Sequence, residues 1–475
     1  MRGPGAGLVP LAIVLLGGCM VGPDYTKPSV PMTPAYKEAE GWKAAQPGDQ
    51  LPRGQWWAVF GDPELHALEE EVATGNQNLK VAEARLREAR AMVRFNRAAL
   101  FPTISASAGA SSIRDSSNRP FLSPSVSPGS SGDLLLSLDM SYEIDLWGRV
   151  RRTVAAARDE AQATAADLET ARLSLQAELA MDYFELRAAD AQRQLLDQTV
   201  KAFEAALQLT TNRFQGGAAP KSDVAQAQTQ LDTTRAQATD VTVQRAQLEH
   251  AIATLIGQPP ATFRLPPRAL DTRPPDVPVG LPSQLLERRP DIAAAERRVA
   301  EANEQIGIAK AAYYPTVMLN ASVGFEGSSF GNVLNASSLL WAVGASITQT
   351  IFDGGRRRAT SDAALAAYDA TVAGYRQATL TAFQQVEDNL AAIRILEQEA
   401  QQQRRAVESA EQSLQLFTNR YRGGVDTYLQ VITAQTVTLA NQRNEIDVLR
   451  RRMDASVLLV KALGGGWDVA DLPKP

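Results

Sequence analysis

The stretch DLLLSLDMSYEIDLWGRVRR, residues 133–152, changes its periodicity in the middle. From Leu134 to Ile144 apolar side chains occupy every second position, which is the period of a β-strand with one apolar and one mostly polar face. From 149 through 215 the chain contains neither glycine nor proline, the residues that most often end helices. The sequence therefore predicts a strand that runs into an unusually long helix, with the joint near Gly148.

The same arrangement occurs a second time along the chain. ARLREARAMVRFNRAALFPTISASAG at 84–109 matches RRVAEANEQIGIAKAAYYPTVMLNASVG at 297–324, and NRFQGG at 212–217 matches NRYRGG at 419–424. The offset is about 213 residues before the serine-rich segments and 207 after them. These matches indicate that one long unit has been duplicated. The predicted divisions are a signal peptide (1–18), a lipidated tether and equatorial segment (19–61), a first repeat (62–261), a linker (262–289), a second repeat (290–465) and a C-terminal tail (466–475).

Each repeat predicts one β-hairpin, at about 103–147 and at about 316–353, so the chain offers four strands. Four strands cannot close a barrel, and an open sheet edge in lipid leaves backbone groups without hydrogen-bond partners. Three copies would supply twelve strands. The predicted fold class is therefore an α+β membrane protein in which a trimer closes a 12-stranded β-barrel with four strands from each chain.

Each hairpin is followed by a pair of helices of unequal length. The long members, 149–215 and 356–422, would each measure roughly 100 Å if continuous. After a Gly-Gly turn a second helix returns, at 221–256 and at 427–463. A helix also precedes each hairpin, at about 63–100 and at about 291–313, and we expect it to stack end to end on the returning helix. The barrel is then continued by a long α-helical cylinder of even height.

The N-terminal segment MRGPGAGLVPLAIVLLGGC has the short apolar run of a secretory signal peptide and ends on Cys19, the only cysteine of the chain. Leu16-Gly17-Gly18-Cys19 resembles the bacterial lipobox, in which the cysteine is acylated. Met20 follows, whereas aspartate at that position usually marks retention in the inner membrane. The alternative is an ordinary secretory cleavage site with an incidental cysteine. The proline-rich stretch after Cys19 favours an extended tether.

Composition argues against several other functions. The chain has a formal net charge of −5, so no basic surface is offered to nucleic acid. One cysteine allows neither an internal disulfide nor a cysteine metal cluster. His66 and His250 stand far apart without metal-ligand spacing. We therefore expect no cofactor, no catalytic constellation and no enzymatic activity.

Three blocks of sequence together resemble a known family. They are CMVGPDYTKP (19–28), WWAVFGDPELHALEEEVATGNQNL (56–79) and LLERRPDIAAAERRVAEANEQIGIAKAAYYPTVMLNASVGFEGSS (285–329). These blocks resemble the TolC-like outer membrane efflux proteins, in particular their lipoprotein (OprM/NodT-like) branch. The resemblance covers nearly all of the chain after the signal peptide. It implies a homotrimer in the outer-membrane lipid, with a periplasmic α-helical barrel below a 12-stranded β-barrel.

The resemblance also implies a function. Proteins of this kind are passive ducts of tripartite efflux pumps, which export drugs and other small molecules. A periplasmic membrane-fusion adaptor grips the helical tips, and an inner-membrane transporter, most often of the RND type, delivers the cargo. Two alternatives remain open, namely the outer-membrane channel of type I protein secretion and, in a different class, a periplasmic lipoprotein scaffold without a pore.

The two Gly-Gly turns are the first candidate site. Gly216 and Gly217 permit a tight helix reversal in the first repeat, and Gly423 and Gly424 do so in the second. The family resemblance adds a role in adaptor docking to this structural one. Arg213 and Arg420 precede these turns, where their side chains could pair between neighbouring helix pairs.

A candidate pore gate follows the second turn. Asp426, Leu429 and Thr433 have the spacing of one helix face, and threefold symmetry would turn each into a ring. Relatives often carry an acid where this chain has Thr433, so we place the cation-attracting ring at Asp426 and the apolar plug at Leu429. By resemblance, Asp223 pairs with the neighbouring tip, with Tyr421 as the partner. The alternative is that these are ordinary solvated residues near a turn.

Overall fold

The computed structural model describes residues 20–30, 33–39, 54–114, 116, 130–275, 277 and 285–472. The predicted signal peptide and Cys19 lie outside these residues. The strands are β1 (Thr103–Arg114), β2 (Ser130–Ile144), β3 (Thr316–Gly327) and β4 (Leu339–Thr348). The helices are α1 (Pro63–Gly75), α2 (Gln77–Ala98), α3 (Arg149–Gln215), α4 (Lys221–Leu255), α5 (Leu285–Arg288), α6 (Pro290–Ala311), α7 (Arg356–Arg422) and α8 (Tyr428–Ala462).

The four strands form one antiparallel sheet in the order β1-β2-β3-β4, so the two predicted hairpins are joined side by side. The register aligns Ala106 with Leu138, Leu138 with Val323, and Val323 with Trp341. Paired residues of antiparallel strands share a face, so the apolar positions of all four strands lie together. That face is open in the single chain, where Trp341 is 73% exposed.

The opposite face of the sheet is polar. The Asp139 carboxylate accepts hydrogen bonds from hydroxyl groups on its own strand and on both neighbouring strands: Ser137 at 2.8 Å, Ser107 at 3.2 Å and Ser322 at 2.7 Å. Among the described strands, β1 and β4 form the two edges of the sheet. In lipid, a sheet of this kind with two free edges would need further strands to satisfy the backbone groups of its edges.

The joints between strand and long helix are built alike in both repeats. The Asp145 carboxylate accepts hydrogen bonds from the backbone N–H groups of Val150 and Arg151 at 3.1 and 2.9 Å. Asp353 accepts from Gly355 and Arg357 in the same way at 3.0 and 3.2 Å. The first N–H groups of a helix have no partner within the helix, so these carboxylates stabilise the starts of α3 and α7.

The returning helices and the helices that lead to the sheet stack end to end. In the first repeat the Asn76 side-chain amide donates to the carbonyl of Leu255, the last residue of α4, at 2.7 Å. In the second repeat Arg289 donates to the carbonyl of Ala462, the last residue of α8, at 3.0 Å. Each long helix is therefore flanked along its length by two shorter ones, α4 with α2 and α8 with α6.

One sequence expectation is wrong in detail. The helix expected from 63 to 100 is broken at Gly75 and Asn76 into α1 and α2. A Cβ added to Gly75 would lie 2.0 Å from the Ile256 carbonyl oxygen, so this contact with the end of α4 admits only glycine. Asn76 then begins α2, its side-chain oxygen accepting from the backbone N–H of Leu79 at 2.9 Å. The break is thus a joint between stacked helices.

The main hydrophobic core lies in the middle of the molecule, around the stacked helix ends. Trp56 and Phe60 of a short 3-10 helix (Trp56–Phe60) pack there with Tyr183 and Phe184 of α3. Charged groups border this core: Arg187 is 1% exposed and binds Glu64 at 2.5 Å and Asp190 at 3.1 Å. None of the described helices combines the length and apolarity needed to cross a membrane.

Candidate functional site

The reversals between the long and returning helices have the same backbone geometry in both repeats. Gly217 has φ +67° and Gly424 has φ +73°, a left-handed conformation that glycine adopts without strain. In the first turn the N–H of Ala218 donates to the Arg213 carbonyl at 2.8 Å, and in the second Val425 donates to Arg420 at 3.0 Å. This hydrogen-bond pattern satisfies the last carbonyls of each long helix and ends it sharply.

Arg213 connects the two turns across the repeats. Its guanidinium group donates to the carbonyls of Tyr421 at 2.9 Å and Arg422 at 3.2 Å. The Cζ atom of Arg213 also lies 4.6 Å from the centre of the Tyr421 ring, within the range of a cation–π contact. A cation at the C-terminal end of a helix is favoured by the helix dipole. Arg213 is therefore a latch between the first-repeat tip and the end of α7.

Two tyrosines fill the space below this latch. Tyr421 and Tyr428 are 3% and 2% exposed, and their ring centres lie 5.2 Å apart. Burial raises the pKa of Tyr428 to about 12, with smaller contributions from Tyr421 and Asp223. Burial also raises the pKa of the Asp223 carboxyl, although Arg213 opposes the shift. The structure thus brings the predicted residues Asp223, Tyr421 and Arg213 into one cluster.

The expected hydrogen bond between Asp223 and Tyr421 is not made within the described part of the chain. Among the described residues the Tyr421 hydroxyl has no hydrogen-bond partner. Burial is the main cause that raises the pKa of Tyr421, and the charge of Asp223 is the next. Their coupling within one copy is electrostatic only.

The placement of Asp426 corrects the sequence expectation. α8 begins at Tyr428, with Thr427 as its N-cap, so Asp426 lies in the turn and does not share a helix face with Leu429 and Thr433. Its carboxylate accepts a hydrogen bond from Arg420 Nε at 2.5 Å, and this bond raises the pKa of Arg420. The second-repeat tip therefore carries an Arg420–Asp426 ion pair within its own hairpin.

Leu429 and Thr433 lie one turn apart on the open side of α8. Leu429 is 55% exposed, and the Thr433 hydroxyl donates to the Leu429 carbonyl at 2.9 Å. The opposite side of α8 carries the buried residues Tyr428 and Val431. An exposed leucine beside a buried face leaves an apolar position free for contact with another copy or with the pore.

The residues directly after Cys19 are fixed at the first strand-to-helix joint. Met20 lies against Gly148, where an added Cβ would be 2.8 Å from Met20 Cγ. The Val21 N–H donates to the Trp147 carbonyl at 3.0 Å, and the Val21 carbonyl accepts from Arg152 Nε at 2.7 Å. Met20 and Val21, the two residues after Cys19, are therefore held at the joint between β2 and α3.

Several structural features were not found by sequence reasoning. The buried pair of Tyr428 with Tyr421 was missed, although the spacing of seven residues around the Gly-Gly turn was a usable signal. His66 accepts a hydrogen bond from Trp57 Nε1 at 3.0 Å, which is a structural contact. No group of three metal-ligating side chains occurs among the residues that the structure describes.

These features define a class of protein: two helical hairpins with long arms, related by duplication, suspended from a sheet with one apolar and one polar face. Comparison with known proteins gives the family. The model of the outer membrane efflux protein family matches residues 68–258 and 281–465. The chain belongs to this family, and it is an outer-membrane channel protein of an efflux pump with a helical periplasmic part.

Individual relatives match over nearly their whole length. The chain is 33% identical over 468 residues to the probable efflux pump outer membrane protein SepC of Pseudomonas putida, covering 96% of this chain and 95% of SepC. It is 33% identical over 477 residues to the outer membrane protein OprJ of Pseudomonas aeruginosa, covering 98% and 97%. The solved structure of the outer-membrane channel OprN superposes with a TM-score of 0.88 at 31% identity, covering 94% of this chain and 100% of OprN.

Proposed function

We propose that three copies of this chain form a passive duct that carries small molecules from the periplasmic side to the exterior. The four-stranded sheet carries this proposal, because its apolar face suits lipid, its polar face suits a water-filled lumen, and its two edges, β1 and β4, are free to pair between copies. Three sheets then give a closed 12-stranded barrel, and six helical hairpins continue it as a cylinder.

The cargo is small and organic. Two relatives are named as the outer membrane proteins of a toluene efflux pump and of an antibiotic efflux pump, both from Pseudomonas putida. Energy for transport is supplied by an inner-membrane transporter of the RND type, and the duct itself performs no chemistry.

The tips of the helical hairpins bind the periplasmic membrane-fusion adaptor. Gly216, Gly217, Gly423 and Gly424 are all exposed at the two reversals, and the pair of turns has one backbone geometry. Two nearly equivalent tips on each chain give six adaptor positions around a trimer.

The gate lies immediately above these tips. The Asp223, Tyr421 and Arg213 cluster holds the two hairpins of one chain together, while Leu429 and Thr433 face away from the buried side of α8. Asp426 adds a carboxylate that Arg420 partly neutralises. In a trimer these residues would form successive rings, with Leu429 as the narrow apolar level.

Cys19 carries the acyl anchor. Its neighbour Met20 lies at the joint beneath the sheet, so acyl chains on Cys19 would enter the lipid at the periplasmic edge of the barrel. Several acyl chains hold a protein in a membrane far more firmly than one.

Planar-bilayer recording of the purified protein tests the proposal. We expect discrete unitary conductance steps and a particle mass of three chains plus detergent. A companion assay expresses the chain in an efflux-deficient strain with its neighbouring adaptor and transporter and measures susceptibility to organic solvents and antibiotics. A protein without unitary conductance would be a scaffold, and the duct proposal would be wrong.

A further inference from the structure

Helix α2 carries a line of basic residues along one side. Arg87, Arg90, Arg94 and Arg97 follow one another at spacings of three and four residues, which places them on one helix face. All four are exposed in the single chain. Among the described residues, no carboxylate lies within ion-pair distance of any of the four guanidinium groups, although Glu83 and Glu88 belong to the same helix. This face is therefore a concentrated positive charge without a carboxylate partner in the part of the chain that the structure describes.

The internal duplication shows what such a face packs against. Ala300 and Gly307 of α6 stand at the positions of Arg87 and Arg94, with the offset of 213 residues. Both are buried, and a Cβ added to Gly307 would lie 2.2 Å from Arg152 Cδ of α3. The corresponding face of α6 is thus covered by the long helix of the preceding repeat.

Helix α7 leaves open the face that corresponds to the covered face of α3. With the offset of 207 residues, Ala359 stands at the position of Arg152 and Ala366 at the position of Asp159. Both alanines are exposed, whereas Arg152 is 1% exposed. The protomer therefore has one open α2 face and one open α7 face, which are the two halves of the contact that α6 and α3 make internally.

The internal contact of α3 with α6 and the open faces of α7 and α2 differ in which helix carries the large side chain. Inside the protomer a large side chain on the long helix, Arg152, lies over Gly307, and it binds Glu304 at 2.8 Å. Glu304 lies three residues farther from the sheet than Gly307. In the two open faces the large side chain, Arg94, is on the shorter helix, and the position equivalent to Arg152 on the long helix is the small Ala359.

Two carboxylates of α7 have the same position relative to Arg87 and Arg94 that Glu304 has relative to Arg152. Asp362 lies three residues farther from the sheet than Ala359, and Asp369 lies three residues beyond Ala366. Both are exposed, and no cation of the described residues pairs with either. The same relation therefore occurs twice, one heptad apart: Arg94 with Asp362 and Arg87 with Asp369.

We propose that the α2 face of one copy binds the α7 face of a second copy through this two-rung ladder, Arg94 to Asp362 and Arg87 to Asp369. The inference rests on the proposed trimeric duct and adds the residues that join its subunits below the sheet. Small alanines on α7 let the helices approach closely, and partial burial strengthens ion pairs that would contribute little in open water. The contact is heterologous, and in the proposed trimer three such contacts close into a ring.

A charge exchange tests the ladder. Arg94→Glu and Asp362→Arg each place like charges at every subunit contact, whereas the double variant restores an ion pair of reversed polarity. Arg85→Glu is the matched control, because its counterpart Arg298 pairs with Asp167, and the α7 position equivalent to Asp167 is Gly374, which offers no carboxylate. The fraction of trimer is measured by light scattering in detergent across a temperature series, at low and at high salt.

We expect each single charge reversal to increase the dissociation constant of the trimer by about tenfold or more, since like-charge contacts in interfaces are costly. The double variant should recover the wild-type behaviour, and Arg85→Glu should match wild type. If Arg94→Glu weakens the trimer and adding Asp362→Arg does not restore it, the ladder is wrong. The basic face of α2 then binds something else, such as anionic lipid head groups. If the wild-type protein is a trimer and every variant has the same dissociation constant, the ladder is also wrong, whereas the duct proposal stands. A monomeric wild-type protein overturns both proposals.

Discussion

The strongest prediction for the gate concerns Arg213, because this side chain of the first-repeat tip binds the backbone of the second-repeat tip. Arg213→Met removes the two hydrogen bonds to the carbonyls of Tyr421 and Arg422 and the cation–π contact, while its apolar side chain still covers the Tyr421 ring. If the pore opens by separation of the two hairpins of each chain, these interactions exist only in the closed state.

The size of the effect follows from those contacts. A cation–π contact at a partly exposed site contributes about 0.5–1 kcal/mol, and a hydrogen bond to a charged group about 1.5–3 kcal/mol. Because Arg213 is only partly buried and water competes for its contacts, we take about 2 kcal/mol for the whole set, which is less than the sum of the separate contributions. A loss of about 2 kcal/mol shifts the ratio of open to closed channels by roughly 30-fold for each chain.

Single-channel recording in planar bilayers measures this shift as open probability. We expect Arg213→Met to open far more often than wild type at the same voltage. Arg404→Met is the matched control, since Arg404 lies on α7 and its ion pair with Glu445 stays within the second-repeat hairpin. Equal open probabilities for wild type and Arg213→Met would refute the latch, provided that the variant forms channels of normal conductance.

Three further predictions address other parts of the molecule. Cys19→Ser should abolish labelling by radioactive palmitate and slow delivery to the outer membrane; labelling that persists would exclude Cys19 as the acylated residue. Asp426→Asn should reduce the cation preference of the closed-state conductance, and Arg420→Gln should increase it by freeing the carboxylate; identical reversal potentials for all three proteins would remove Asp426 from the gate. Glu69 is fully buried without a hydrogen-bond partner among the described residues, and burial raises its pKa well above the usual range. Its protonated form is therefore favoured by folding, so stability is highest below the unfolded pKa near about 4.3 and is lost as the pH rises toward the folded pKa. Glu69→Gln should raise the unfolding temperature at pH 7 and not at pH 4, and an equal shift at both pH values would contradict this explanation.

The long elements could be predicted from the sequence because their signals are long. Helices α3 and α7 span 149–215 and 356–422, the same two stretches that lack helix-breaking residues apart from Gly374. The alternation in β2 placed Leu138 and Met140 on the apolar face, and the strand register agrees. Over such lengths periodicity outweighs local exceptions.

Features set by contacts between distant segments were not predictable in the same way. The break at Gly75 depends on the Ile256 carbonyl, which lies far away along the chain, although the Gly-Asn pair at 75–76 was a local hint. Asp426 was placed on a helix face because spacing alone cannot show where a helix begins. The cap at Thr427 and the ion pair with Arg420 decide that, and both are matters of three-dimensional geometry.

The duplication explains why the two repeats differ most where they meet different neighbours. At the stacked helix ends both repeats meet the same kind of surface, and Gly257 and Gly464 have matching positive φ angles of 77° and 92°. At the upper helices the second repeat packs within its own chain, with Gly307 beneath Arg152, whereas the first repeat presents Arg94 outward. The proposed cylinder of three chains would have two kinds of helix contact, one within each chain and one between chains. Within the chain the arginine is on the long helix α3 and the glycine on α6, whereas in the open faces the arginine is on α2 and the alanine on the long helix α7. The two contacts therefore use different side chains. In the proposed ladder the second contact is therefore made with another copy, and the exposed arginines of α2 are the residues that make it.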